Sequence, residues 1–237
     1  MTKGRHIAFV AALLFFPLFA YANPAATIAD HAPSGDEIAL RDGRIVRLAG
    51  IKDLSLAAQD YLQANVAGHE VVLLGGSKDR YGRIVATVSL PGQNQSIEDG
   101  MLSAGVAFVY PATGDNPQLD IWLKEEHDAR AAKRGYWADH ADIDANDAEQ
   151  LEGQYGFVSG TITNASRVKN KVYLNFGADW RTDFTISIAA HDLRAFKKQD
   201  VDLLSLAGRK VRVRGWVKSD FGPMITITDP HQLEILP

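Results

Sequence analysis

Apolar and polar residues alternate in short runs along much of this chain, and glycine or aspartate turn signals separate the runs. Such patterning commits a chain to small, half-buried strands rather than long helices. The clearest hairpin is Ile38 and Leu40, then the turn Asp42-Gly43, then Val46 and Leu48. Residues 71–74 and 84–90 read as further strands, after a polar lead-in that runs to about Ser34. From Tyr155 onward alternation dominates, with strands expected at 157–162, 172–176, 184–188, 211–217 and 224–227 and partial helix only in 190–206.

Three helices interrupt the first part. Ala58, Tyr61, Leu62 and Val66 share one helical face within 55–67, and Gly68 is its stop. Ser96 and Asp99 have capping-box spacing ahead of Met101 and Leu102, with Gly105 as terminator. A longer helix is expected to take Asn116 as its cap and Pro117 at its first position, to turn Leu119, Trp122 and Leu123 inward, and to close at Gly135. The fold class is therefore mainly β with helices (α+β). A small barrel with three helices spans 30–138, and a second small β-barrel-like domain spans 155–237. Five short strands with one intervening helix suit an OB-type barrel in the second domain, a count that β-sandwiches share. No internal repeat stands out.

Residues 139–154 are acidic and poor in apolar side chains, which reads as a linker. Asp142, Asp144 and Asn146 have the spacing of an EF-hand loop, but Asp147 stands where that loop needs glycine and Gly153 where it needs glutamate, so the segment is not read as a calcium loop. Residues 1–22 have the form of a cleavable export leader: Lys3 and Arg5, an apolar stretch over 7–19, then Ala20-Tyr21-Ala22. A periplasmic or secreted protein is expected, with no membrane span after leader removal.

The chain has no cysteine, so thiol nucleophiles and zinc-thiolate sites are excluded. Its histidines are scattered without metal-ligand spacing. Lys and Arg total 25 against 29 Asp and Glu, an acidic balance that disfavours non-specific binding to nucleic acid and leaves any such role to local patches.

Several charged clusters remain: Gly35-Asp36, Arg47 within Val46-Arg47-Leu48-Ala49-Gly50-Ile51, and Asp79-Arg80-Tyr81-Gly82-Arg83. With Gly105-Val106-Ala107-Phe108-Val109-Tyr110, Ala131-Ala132-Lys133-Arg134-Gly135 and Trp137 following in order, the stretch 35–137 resembles the staphylococcal nuclease, or thermonuclease, family. The resemblance implies an OB-fold phosphodiesterase that hydrolyses DNA or RNA with calcium. It makes Asp36 a metal aspartate and Arg47 and Arg83 the catalytic arginines that neutralise the scissile phosphate. Guanidinium donors suit that role because they bind phosphate bidentately where charge develops.

Two positions depart from the family pattern. In Gly50-Ile51-Lys52-Asp53-Leu54-Ser55, Lys52 stands where the second metal aspartate belongs and Ser55 where the catalytic glutamate belongs. An ammonium repels a divalent cation, and an unassisted hydroxyl is no general base at neutral pH. Asp53 substitutes for the lost aspartate only through a bulge, since a one-residue slip turns a side chain to the other face. Ser55 also reads as the N-cap of the following helix. The expectation is a degenerate site without a cofactor, in which Arg47, Lys52, Arg83 and Tyr81 hold nucleic acid or another anion. The alternatives are an active nuclease retaining calcium, and an envelope protein that binds a protein partner.

In the second domain, strand alternation puts Lys210, Arg212, Arg214 and Trp216 on one face. This is a nucleic-acid-binding candidate, or an ordinary solvent-facing strand. Tyr173, Phe176, Trp180 and Arg181 read as core and turn residues.

Overall fold

The hairpin centred on Asp42-Gly43 is present, with Gly43 at φ +86° supplying the left-handed turn that β2 (Glu37–Leu40) and β3 (Ile45–Leu48) require. A computed structural model describes residues 26–53, 55–111 and 116–237 of the chain. The leader expected at 1–22 lies outside the described residues.

Ahead of the hairpin, where a polar lead-in was expected, β1 (Thr27–Ser34) forms and pairs with β2 on one side and β5 (Glu70–Lys78) on the other. Its sequence is polar and hardly alternates. The strand exists because β2 and β5 offer it free backbone groups and because Ala29 and Ala32 are small enough to fill the barrel wall. With β6 (Ile84–Ser89) parallel to β3, the order β1-β2-β3-β6-β5 closes a five-stranded barrel. Val46, Leu48, Val71, Ala86 and Val88 face its core.

Between β3 and β5 lie β4 (Ile51–Asp53) and α1 (Leu56–Asn65), and after β6 come α2 (Ile97–Ala104), β7 (Ala107–Val109) and α3 (Leu119–Ala131). The capping box on α2 is complete, since Ser96 Oγ accepts from Asp99 N and Asp99 Oδ2 accepts from Ser96 N. The other oxygen of Asp99 receives Trp122 Nε1 at 2.7 Å, so one carboxylate caps α2 and fixes the largest buried side chain of α3. Asn116 does not cap α3. It makes a turn onto Gln118 N, and Gln118 is the cap. Gly105 and Gly135 pack backbone to backbone: a Cβ on the first would strike the carbonyl of Arg134, and one on the second that of Ala104.

The second half consists of β8 (Ile143–Asp144), β9 (Tyr155–Thr161), β10 (Asn164–Val168), β11 (Lys171–Asn175), β12 (Thr185–Ile188), α4 (Leu193–Lys198), β13 (Lys210–Ser219), β14 (Pro223–Ile227) and β15 (Leu233–Ile235). Its sheet runs β10-β11-β12-β14-β13-β9-β8, with β15 added to β13. Because β9 runs into β10 across Ile162 and Thr163, the sheet wraps around its core and returns to the same stretch of chain. Strands β12 and β14 are parallel, as β3 and β6 are, and α4 lies between β12 and β13 in the chain as β4 and α1 lie between β3 and β5. The two halves therefore share one strand order, closed into a barrel in the first and left as a curled, barrel-like sheet in the second.

The stretch 139–154 is structured. It carries β8, which pairs with β9, and a 3-10 turn over Ala145–Leu151 whose Ala145 and Ala148 are buried. Phe108, Trp137 and Phe157 form an apolar cluster between the barrels. Beside it, six side chains alternate in charge around a closed ring. Glu126 meets Arg214 at 2.7 Å, Arg214 meets Glu234, Glu234 meets Arg212 at 3.1 Å, Arg212 meets Asp142 at 2.6 Å, Asp142 meets Arg130 at 2.7 Å, and Arg130 returns to Glu126 at 2.9 Å. Arg214 also donates to Val109 O at 3.1 Å. The ring joins α3 to β13 and β15, and so ties the first barrel to the second.

Candidate functional site

The tight turn at Gly35-Asp36 directs Asp36 toward the wall formed by β3 and β4, where it is buried. Ser34 Oγ donates to its Oδ1 at 3.1 Å, while Arg47 Nε lies 3.8 Å and Lys52 Nζ 4.0 Å from its Oδ2. Lys52 Nζ is also 3.5 Å from Asp53 Oδ1, so the ammonium sits between two carboxylates. Gly35 lets Asp53 approach, because a Cβ at position 35 would collide with that side chain.

Glu37 completes the cluster, and sequence reasoning missed it. Its neighbour across the β2-β3 ladder is Arg47, and its carboxylate accepts from Arg83 NH1. The available signal was register. An acid directly opposite Arg47 in a hairpin set by Asp42-Gly43 has to share its face. Arg83 is held from its other side by Asp79, which takes Nε at 2.7 Å and NH2 at 2.6 Å. The hydrogen bond that Arg83 donates to Asp79 raises the Arg83 pKa against the small cost of burial, with Glu37 adding to it. Asp79 Oδ1 also accepts the backbone N–H groups of Tyr81 and Arg83, which fixes the turn.

The fold thus gathers Asp36, Arg47, Lys52 and Arg83, and adds Glu37 and Asp53. Tyr81 stands apart from the enclosed part of the cluster. Its ring is 69% exposed and lies beneath the guanidiniums of Arg80 and Arg83, 5.1 and 5.0 Å from the centroid, so it steadies the loop. Ser55 occupies the N-cap position of α1 with extended backbone, but its hydroxyl makes no capping bond.

Calcium seeks six or more oxygen ligands. Among the described residues no group of three or more acidic or histidine side chains is arranged to hold a metal ion. Lys52 already supplies positive charge between Asp36 and Asp53, so this donor set does not fit calcium. What the cluster does chemically is balance two guanidiniums and an ammonium against neighbouring carboxylates.

The basic stripe of β13 does not form an open face. Arg214 is 1% exposed, and its charge, opposed by burial, is sustained by Glu126 and Glu234, which raise its pKa. Arg212 is bound by Asp142 and Glu234. Alternation put these side chains on one face as expected, but that face packs against α3 and β15. Only Lys210 and Trp216 of the four are exposed. Trp180, read as a core or turn residue, is 51% exposed, whereas Phe176 is in the core.

Among the described residues no helix is long and apolar enough to cross a membrane. Residues 46–139 match the family described as staphylococcal nuclease homologue. Over 114 residues the chain is 33% identical to an uncharacterized endonuclease of Escherichia coli, an alignment covering 44% of this chain and 72% of that protein. An uncharacterized 38.1 kDa protein of Capnoides sempervirens is 36% identical over 112 residues, or 45% of this chain and 31% of its own length. The probable endonuclease LCL3 of Kluyveromyces lactis is 41% identical over 90 residues, or 34% of this chain and 32% of its own length.

Proposed function

Because the chain belongs to the family of staphylococcal nuclease homologues and yet carries Lys52 between Asp36 and Asp53, we propose that it is an exported, non-hydrolytic member that binds nucleic acid. The position of that ammonium is the observation that carries the reading. A divalent ion entering the same space meets a fixed positive charge about 4 Å from its ligands, and the Coulomb cost there is several kcal/mol even at an effective dielectric constant of about 20. Ser55 offers no carboxylate to activate water. Arg47 and Arg83 keep the capacity to bind a phosphate, because neither needs a metal to do so.

The endonuclease names of the relatives favour a second reading, calcium-dependent hydrolysis of DNA or RNA using Asp36, Arg47 and Arg83. One assay separates the two. The purified protein is incubated with single-stranded DNA and with RNA, in calcium and in chelator, and both cleavage and retention are followed. Retention without chelator-sensitive cleavage is expected. Chelator-sensitive cleavage that Arg83→Ala abolishes would reject the proposal. The paired change Lys52→Asp with Ser55→Glu should gain metal-dependent cleavage.

A further inference from the structure

The outward face of the second barrel carries a cleft of about 460 Å³ on β10, β11, β12 and β14. The strand register aligns Ser166, Tyr173, Ser187 and Thr226 in one row across these four strands. Ser187 Oγ and Thr226 Oγ1 are 2.8 Å apart, so this row is a band of hydroxyls with the Tyr173 ring among them. Over it stand Trp180 and Phe221, from two different loops, 51% and 72% exposed. Their ring centroids are 6.0 Å apart with planes tilted by 60°, so neither ring covers the face of the other, while the Arg181 guanidinium lies 4.5 Å over the Trp180 ring.

Two further observations show that this exposure is built rather than incidental. Phe221 is held at φ +54°, a left-handed conformation that costs a residue with a Cβ about 1 kcal/mol or more, and core burial does not offset the cost. Unpaired lysines lie in and near the cleft. Its lining holds one lysine, Lys171, and one acid, Asp220, while Lys169 follows the lining residue Val168 in the β10-β11 turn; neither these two lysines nor Lys218 has an acidic partner within 4 Å among the described residues. Lys218 lies beside Met224 of the cleft through the β13-β14 ladder. At Thr226 the cleft meets a second hollow, lined by Trp216, Tyr155 and Tyr110, in which Trp216 is 50% exposed. The surface therefore continues toward the first barrel, to which Tyr110 is bonded through Gly50 O.

We infer that this face is a track for single-stranded nucleic acid, on which Trp180, Phe221 and Tyr173 stack bases while Lys169, Lys171 and Lys218 neutralise phosphates. Exposed aromatic rings stack bases only when those are themselves unstacked, which selects single strands over a duplex. Lysines near the rings match a charged backbone running past its bases, and Ser166 and the exposed Thr226 of the hydroxyl row offer donors and acceptors to base edges. The inference rests on the non-hydrolytic binding reading above and assigns its ligand class and its site.

The test uses the full chain in chelator and measures fluorescence anisotropy with labelled oligo-dT and oligo-rU and with a duplex of equal length. Trp180→Ala with Phe221→Ala should weaken single-strand binding at least tenfold, and Lys171→Glu should also flatten its salt dependence. Ile121→Ala, on an exposed position of α3, is the neutral control, and circular dichroism verifies folding of every variant. Single strands should bind more tightly than the duplex. A dissociation constant unchanged by the aromatic pair overturns the inference. If Arg83→Ala abolishes binding instead, nucleic-acid binding survives and only the second-barrel track falls. If the wild type retains no oligonucleotide, or binds a neutral oligosaccharide through Trp180 and Phe221 instead, both readings fail.

Discussion

Removing two opposite charges from the ring between the barrels should cost no more than removing one. Glu126→Gln leaves three guanidiniums facing two carboxylates around Arg214, which has almost no access to water. Breaking a buried pair by deleting one partner costs about 3–5 kcal/mol. The lower end applies here, since Arg214 keeps Glu234 and the Val109 carbonyl. Arg214→Met leaves the opposite imbalance, but Glu126 keeps Arg130 and the Val109 N–H, and Glu234 keeps Arg212. That change should likewise cost about 3 kcal/mol. The double variant restores two charges of each sign, so its loss should be about 3 kcal/mol instead of about 6, a coupling of about 3 kcal/mol. Urea unfolding followed by tryptophan fluorescence and circular dichroism measures all four corners of the cycle. Burial also makes the coupling insensitive to salt up to about 1 M, where surface pairs are screened. Additive single effects, or single losses below about 1 kcal/mol, would refute the view that these six side chains act as one electrostatic unit.

Glu98 supplies a pH dependence. It is fully buried beneath β6, where Val88 N donates to both of its oxygens at 3.2 Å, and burial pushes its carboxyl up to about 8. The folded protein therefore holds a proton that the unfolded chain releases near the ordinary carboxylate value. Its contribution is fully present below that value and is lost as pH rises through about 8. Urea midpoints should fall across this window in the wild type and flatten in Glu98→Gln; an unchanged slope would count against the assignment. At Gly105, alanine meets both a left-handed φ of +71° and the Arg134 carbonyl, so Gly105→Ala should cost about 2 kcal/mol or more in thermal unfolding. Gly43→Ala has the strained φ but open space, and should cost only about 1 kcal/mol. Equal losses at the two sites would mean that the backbone contact between Gly105 and Gly135 does not matter.

Short-range physics was legible in the chain. Asp42-Gly43 dictates a hairpin and Ser96 with Asp99 caps a helix, because the decisive partners lie within a few residues of each other. The motif order from Gly35 to Trp137 carried the family, and Lys52 with Ser55 marked its departures. Tertiary structure decided the rest. β1 becomes a strand only because β2 and β5 leave open backbone beside it. Alternation placed Arg212 and Arg214 on one side of β13, but whether that side meets water or α3 depends on how the barrels dock. The shared strand order left no repeat to read, since it is written in backbone hydrogen bonds that many side chains tolerate. Trp180 and Phe221 converge from separate loops, and Lys52 comes to rest between Asp36 and Asp53, only once the chain has closed on itself. Residue type sets the chemistry a side chain can offer, and distance through space determines which of that chemistry is used.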